Sequence, residues 1–330
     1  MTVAVTGAGG FVGRHAVAAI RAAGEDVVAL SRRPIDGLEH LRFDLGGEVP
    51  SAAQLRARGV TALVHCAWDF SPRNLEEARR INIAPSARLA QEAADAGASL
   101  IAISTMSAFD GCRSVYGRSK LEMEQAFLER GALVLRPGLV WSDRPGGMVG
   151  TLDRLARLPL APVIAGGGKL YAIHADDLAA VIVRAVRLRP GARLLTAAHS
   201  RPYSFADILR LRAPAGAPLL LPVPWPLVWL GVRLAQALKP HGALRADSVL
   251  GLVHANPAPD FAPLSGVLEQ GICGCFAARR TSPRPEIFPN IINGFFARPA
   301  GLICWFRQGQ NARNRALISR AAHALLKAAF

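Results

Sequence analysis

The amino-acid sequence predicts an α/β fold, a parallel sheet covered by helices on both faces, with a smaller C-terminal lobe. Three observations carry this. The apolar run Val3-Ala4-Val5-Thr6 leads straight into Gly7-Ala8-Gly9-Gly10-Phe11-Val12-Gly13 and a helical pattern. Short apolar runs alternate with helical patterns through the first half, which is the βαβ rhythm of a parallel sheet. Tyr116 and Lys120 then follow a strand-like run that ends in Ser104-Thr105. At 330 residues and 51% apolar composition, the chain can bury a large core in one unit or two lobes.

Each element follows in order. Val3 to Thr6 is a short core strand, and about Phe11 to Ala23 is a helix closed by Gly24. Val27 to Leu30 is a second strand, Ala62 to His65 the fourth, and Leu75 to Ala96 a helix. Leu100 to Ile103 reads as a buried parallel strand, Lys120 to Glu129 as a helix and Leu133 to Leu135 as a later strand. Beyond about residue 140 the rhythm fades. Gly166 to Gly168 marks a loop, and Asp176 is a fitting N-cap for a helix from Leu178 to Val186. Pro214, Pro218, Pro222, Pro224 and Pro226 break up the next region before an apolar helix, Leu227 to Leu238. The prolines and Arg233 hold its apolar length well below the roughly 20 residues of a membrane span. A helix of the second lobe is the preferred reading, and an amphipathic surface anchor is the other. Ala312 to Ala329 has helical spacing in a tail with no functional account.

The glycine run sits in the strand–turn–helix context of a dinucleotide-phosphate loop, so the sheet is expected to be a doubly wound Rossmann-type one. Gly7 permits the tight turn, Gly10 lets backbone approach a pyrophosphate, and Gly13 lets helix pack on strand. The helix N-terminus, from Phe11 and Val12 onward, offers N–H groups and partial positive charge to phosphate. Tyr116 and Lys120, four apart, share one helix face. An ammonium beside a phenol favours the phenolate and lowers its pKa. Such a tyrosine can pass a proton to or from a carbonyl or alcohol oxygen during hydride transfer. Thr105, at a strand's C-terminal end, can hydrogen-bond that oxygen. Ser104 and Ser107 compete for this role, since a one-residue slip exchanges them.

At these residues the chain resembles the extended short-chain dehydrogenase/reductase family, also called the NAD-dependent epimerase/dehydratase family. The resemblance is carried by Thr6 to Gly13, Asp44-Leu45, His65-Cys66-Ala67, Asn82, Ser104-Thr105, Tyr116 to Lys120, Arg136-Pro137-Gly138 and His174 to Leu178. It covers roughly residues 1 to 265. It implies a cofactor-binding domain over residues 1–165, a substrate lobe over 166–270 interleaved with the last strands, and an unassigned basic tail over 271–330. It assigns Tyr116 as acid/base, Lys120 as its tuner and ribose-binding partner, and Thr105 as the hydroxyl that holds the substrate oxygen. Asp44 and Leu45 lie where the family contacts adenine, although Asp44 also suits a strand end. Cys66 and Ala67 lie where the family's backbone passes the ribose and diphosphate. Pro137 and Gly138 shape the nicotinamide loop, with Arg136 structural. Asn82 either bridges backbone and active site through water or caps a kink. The expected activity is reduction or epimerisation of a nucleotide-sugar-like substrate, and the rival is a non-catalytic cofactor-binding assembly protein. The family's dehydratases carry Asp-Glu after the catalytic threonine. Met106 and Ser107 stand there in this chain, which disfavours dehydration.

The cofactor expectation comes from Ser31-Arg32-Arg33 after the second strand. An acidic residue there would accept from a ribose hydroxyl, whereas a guanidinium can bind a 2′-phosphate bidentately. NADP(H) is therefore preferred, with NAD(H) admitted, and the alternative is that the arginines are surface charges. His174 and Arg144 lie in segments that can face the pocket or solvent. Lean aromatic content offers no base-stacking cluster. The formal net charge is +15, and in the tail nine basic residues face only Glu286. Such charge attracts nucleic acid, acidic lipid or phosphorylated substrates, and a solvated arginine-rich surface is the preferred reading. Cys66, Cys112, Cys273, Cys275 and Cys304 show no zinc spacing, so no metal site is expected, and their scatter suggests reduced thiols. The N-terminus enters a core strand at once, leaving no room for a signal peptide. The expectations are a cytoplasmic location, a small-molecule substrate, no specific nucleic acid, no transmembrane span, and a homodimer as one option.

Overall fold

The computed structural model describes residues 1–143, 147–189, 193–213, 219–238 and 245–261. The first half contains β1 (Thr2–Thr6), α1 (Phe11–Ala22), β2 (Asp26–Ser31), β3 (Glu39–Arg42), α2 (Ala52–Ala57) and β4 (Val60–His65). Next come α3 (Leu75–Ala78), a π-helical turn (Arg79–Ile83), α4 (Ala84–Asp95), β5 (Ser99–Ile103), α5 (Val115–Leu128) and β6 (Leu133–Pro137). The second half holds β7 (Leu139–Trp141), α6 (Gly147–Ala156), β8 (Leu160–Ala165), β9 (Ala172–His174), α7 (Ala175–Leu188) and β10 (Arg193–Ala197). It ends in α8 (Phe205–Arg212), β11 (Leu219–Pro224), α9 (Trp225–Leu238) and α10 (Ala246–Val253).

Seven strands form one parallel sheet in the order β10-β6-β5-β4-β1-β2-β3. This is the Rossmann-type doubly wound sheet the sequence predicts. Strand alternation supplies a core on each face: Val3 and Val5 join Ile20 and Leu178 on one side, while Ala4 joins Leu63, Leu89 and Phe127 on the other. Strand order reverses between β1 and β4, so their C-terminal ends open a crevice, the place where such sheets bind ligands.

A second, smaller core brings Leu152, Ala156 and Ala161 together with Phe205, Ile208 and Leu209. Arg212 clamps α8 to α6 by donating to both carboxylate oxygens of Asp153, at 2.6 and 3.0 Å. β8 and β11 form a separate parallel pair here.

Three local expectations change. β3, counted but not placed in the sequence, was hard to locate because Glu-His-Leu-Arg has one apolar residue; it is a sheet edge with only Leu41 buried. The single helix expected over Leu75 to Ala96 is interrupted by the π-turn, and Pro85 sits in the first turn of α4. The N-cap of α7 is His174 rather than Asp176: its Nδ1 accepts from the Asp176 N–H at 3.3 Å. Asp176 instead lies inside the first turn, where the helix dipole favours a carboxylate. Arg144, Pro214, Pro218, Cys273, Cys275, Cys304 and the tail with its expected helix over Ala312 to Ala329 lie outside the described residues.

Candidate active site

The glycine turn is built so that side chains are excluded. Gly7 has φ +61°, and a Cβ there would come within 3.0 Å of the Ala67 backbone. A Cβ on Gly13 would collide with the Gly7 carbonyl oxygen, which also accepts from the Gly10 N–H at 2.8 Å. Helix α1 begins with Gly10 as N-cap, without a side-chain cap and without an acidic residue in its first turn. Its leading N–H groups at Phe11, Val12 and Gly13 therefore face the crevice with nothing negative beside them, a cradle that fits a diphosphate.

The opposite wall is the end of β4. The Thr6 hydroxyl oxygen accepts from the Cys66 and Ala67 N–H groups at 2.9 and 3.0 Å and lies 3.0 Å from His65 Nδ1. With two N–H donors already on that oxygen, its own O–H donates to Nδ1, which assigns the His65 proton to Nε2. Burial pushes the His65 imidazole down to about 3, so it stays neutral. Burial also pushes the Cys66 thiol up to about 12, which makes it an inert wall rather than a nucleophile.

Arg32 and Arg33 stand exposed at the end of β2, where the Ser31 hydroxyl donates to the Arg33 carbonyl at 2.7 Å. Asp44 closes a turn of its own, Oδ1 accepting from Gly46 N–H at 3.1 Å, and Leu45 beside it is half-buried. Asn82 sits in the π-turn and pins the loop after β4. Its Oδ1 accepts from the Asp69 N–H and its Nδ2 donates to the Asp69 carbonyl, both at 2.8 Å. Both groups of its amide are committed to that loop.

The proton-handling residues converge at the end of β5. The Thr105 hydroxyl neighbours the Tyr116 phenol and accepts from the Ser107 N–H at 3.2 Å. Lys120 is 3% exposed. Its Nζ donates to the Ile103 carbonyl at 2.8 Å and lies 3.9 Å from the centre of the Trp68 ring. Burial pushes this ammonium down to about 7. Burial likewise pushes the Tyr116 phenol up to about 12, against the neighbouring Thr105 hydroxyl, which lowers it. This corrects the expectation that Lys120 lowers the phenol. The lysine faces a carbonyl and an indole, so Thr105 is the group that opposes burial.

Ser104 is otherwise engaged. Its hydroxyl donates to Glu124 Oε1, and Arg136 clamps the same carboxylate through Nε at 2.8 Å and Nη2 at 2.5 Å. Arg136 is thus structural, joining β6 to α5 behind the site. Glu124→Ala leaves a largely buried guanidinium without its partner and should cost about 3–5 kcal/mol. Thermal or urea unfolding measures this, and a loss below about 1 kcal/mol would show the pair to be solvated. Gly138 follows β6 because a Cβ there would collide with the Tyr171 carbonyl oxygen. The preceding Pro137 carbonyl accepts from Met106 N–H at 3.0 Å and fixes the strand β5 exit.

Two sets of residues escaped the sequence reading. Trp68 and Phe70, in the loop after β4, meet the Tyr116 ring at 6.1 and 5.5 Å between centroids. An aromatic cluster therefore exists at the site despite the lean composition. The second set comes from α10. Asp247 accepts from the N–H groups of Val115 and Tyr116, at 2.7 and 3.1 Å. Arg245 donates to the Pro72 carbonyl at 2.7 Å. The C-terminal lobe thus anchors both the start of α5 and the aromatic loop. His174, by contrast, is buried, caps α7 and packs edge-on against Trp141.

The family model for the RmlD substrate binding domain matches residues 1–189. A ceramide reductase of Caulobacter vibrioides is 30% identical over 284 residues, 82% of this chain and 88% of that protein. Among solved structures, MoeE5 in complex with UDP-glucuronic acid and NAD is 23% identical with a TM-score of 0.58, covering 68% of this chain and 86% of that one. The UDP-glucose 4-epimerase of Thermotoga maritima with UDP-glucose is 18% identical with a TM-score of 0.56, covering 67% and 86%. At these identities the solved structures share the fold.

Proposed function

The chain belongs to the RmlD substrate binding domain family, and from that premise we propose that it is an NAD(P)-dependent oxidoreductase of the short-chain dehydrogenase/reductase type. The observation that carries this is that Thr105, at the end of β5, neighbours the Tyr116 phenol, with buried Lys120 one helical turn on. The glycine cradle opens at the same edge of the sheet. When bound, a nicotinamide dinucleotide supplies or accepts the hydride. Thr105 orients the substrate oxygen, and Tyr116 gives that oxygen a proton in reduction or takes one in oxidation.

The substrate in this reading is a ketone or its alcohol. A nucleotide-sugar is one class, in line with the ligands named for the two solved structures. A lipid is the other, in line with the ceramide reductase. Met106 and Ser107 after Thr105 provide no carboxylate, which argues against dehydration. Oxidation of NADPH against keto-sugar nucleotides and long-chain ketones tests the reading. Tight NADPH binding with no turnover on either panel would favour the rival, an assembly protein that keeps the cofactor as structure.

NADP(H) is the cofactor we favour, with Arg32 and Arg33 as the 2′-phosphate partners. Arg32→Asp should weaken NADPH by the loss of a charge-assisted contact, about 1.5–3 kcal/mol, and leave NADH little changed. Fluorescence titration of both dinucleotides reads this directly. Tighter NADH than NADPH binding in the unaltered protein would reverse the assignment.

A further inference from the structure

Six leucines on neighbouring elements are exposed by 45% to 74%: Leu219 and Leu221 of β11, and Leu227, Leu230, Leu234 and Leu238 of α9. The four on α9 recur every three or four residues and form one face. No residue of α9 is buried. A contiguous apolar face of this kind marks an interaction surface. We infer that α9 and β11 dock the protein on an anionic lipid bilayer, with the helix lying in the plane of the headgroups.

Helix length argues for this orientation. Fourteen residues extend about 21 Å, short of the ~30 Å hydrocarbon core, and no described helix is long and apolar enough to cross a membrane. Charge argues for the occupant. Between Asp207 and Asp247 the chain has no acidic residue; Arg212 is held by Asp153 and Arg245 by the Pro72 carbonyl, so the outward charge here is Arg233 of α9. Arg233 stands exposed on the flank of the leucine face, its guanidinium 5.9 Å from the Trp229 ring, placed to reach phosphate while the leucines enter the acyl boundary. The tail is a poor cover, since its nine basic residues against one acidic residue repel the same flank and suit the same anionic surface. A symmetric pair of chains through this face would also oppose like charges. The inner side of α9 packs on α10, where Gln236 Oε1 accepts from the Ala246 N–H at 2.9 Å. The docked face is therefore one helix away from Asp247 and the start of the Tyr116 helix.

Vesicle co-sedimentation of the full chain tests the inference without needing turnover, so its failure leaves the oxidoreductase reading untouched. The unaltered protein should pellet with vesicles of phosphatidylcholine plus phosphatidylglycerol and remain in solution with phosphatidylcholine alone. The double variant L230E/L234E should lose at least about tenfold in vesicle affinity, with its melting temperature retained because both positions are exposed. No pelleting of the unaltered chain overturns the proposal. Equal pelleting of the double variant also overturns it, assigning binding to basic charge alone. A leucine-dependent dimer in gel filtration without vesicle binding assigns the face to a second copy. Binding that emerges only after removal of residues 271–330 assigns it to the tail.

Discussion

Tyr116→Phe is expected to cut turnover on the order of 10²–10⁴-fold while dinucleotide binding stays nearly intact. The substitution deletes one oxygen and keeps the ring, so the packing against Trp68 and Phe70 survives. What is lost is the transferable proton beside Thr105. The backbone of residue 116 remains tied to Asp247, so the helix start does not shift. A fall in kcat with an unchanged dissociation constant for NADPH is the signature of a group acting on the reacting oxygen. Full activity of the phenylalanine variant on an identified substrate would remove Tyr116 from the chemistry.

The parts of this architecture that read directly from sequence are those whose cause is local. Gly7 is fixed by its φ of +61° and Gly13 by close approach to the Gly7 carbonyl within one turn, and β1, β4 and β5 by continuous apolar runs buried on both faces. Tyr116 and Lys120 need only helical spacing. Contacts made across the fold left no such mark. Asp247 reaches Tyr116 from 131 residues away, and nothing in its neighbourhood distinguishes it from a surface aspartate. Trp68 and Phe70 gain their meaning from the loop that Asn82 and Arg245 hold in place. The choice among Ser104, Thr105 and Ser107 was open in sequence. Partners, not position, distinguish Ser104, which is bound to Glu124, from Thr105, which neighbours Tyr116. His174 replaced Asp176 as the cap of α7 because its imidazole nitrogen reaches the backbone N–H, a role short polar residues usually fill.

Lys120→Met is expected to move stability and activity in opposite directions. The lysine is buried, and folding lowers its pKa from 10.5 to about 7. Below about pH 7 the folded and unfolded chains both carry the charge, so the full cost of burying it is present. Between about 7 and 10.5 the unfolded chain binds more protons, so the stability of the unaltered protein rises with pH through that window. Methionine removes the buried charge and keeps much of the stem volume. The gain should be about 1–4 kcal/mol at pH 6 and smaller at pH 9, reduced by the lost contacts to Ile103 and Trp68. Turnover should fall on the order of 10²–10⁴-fold, and dinucleotide binding should weaken with it if the lysine also holds the ribose. Thermal melts at the two pH values, set beside kcat, separate the roles. A lysine retained for folding alone would give a variant that melts earlier at both pH values. A variant that melts later at pH 6 and turns over poorly identifies a charge kept in the core, against its cost to the fold, for turnover.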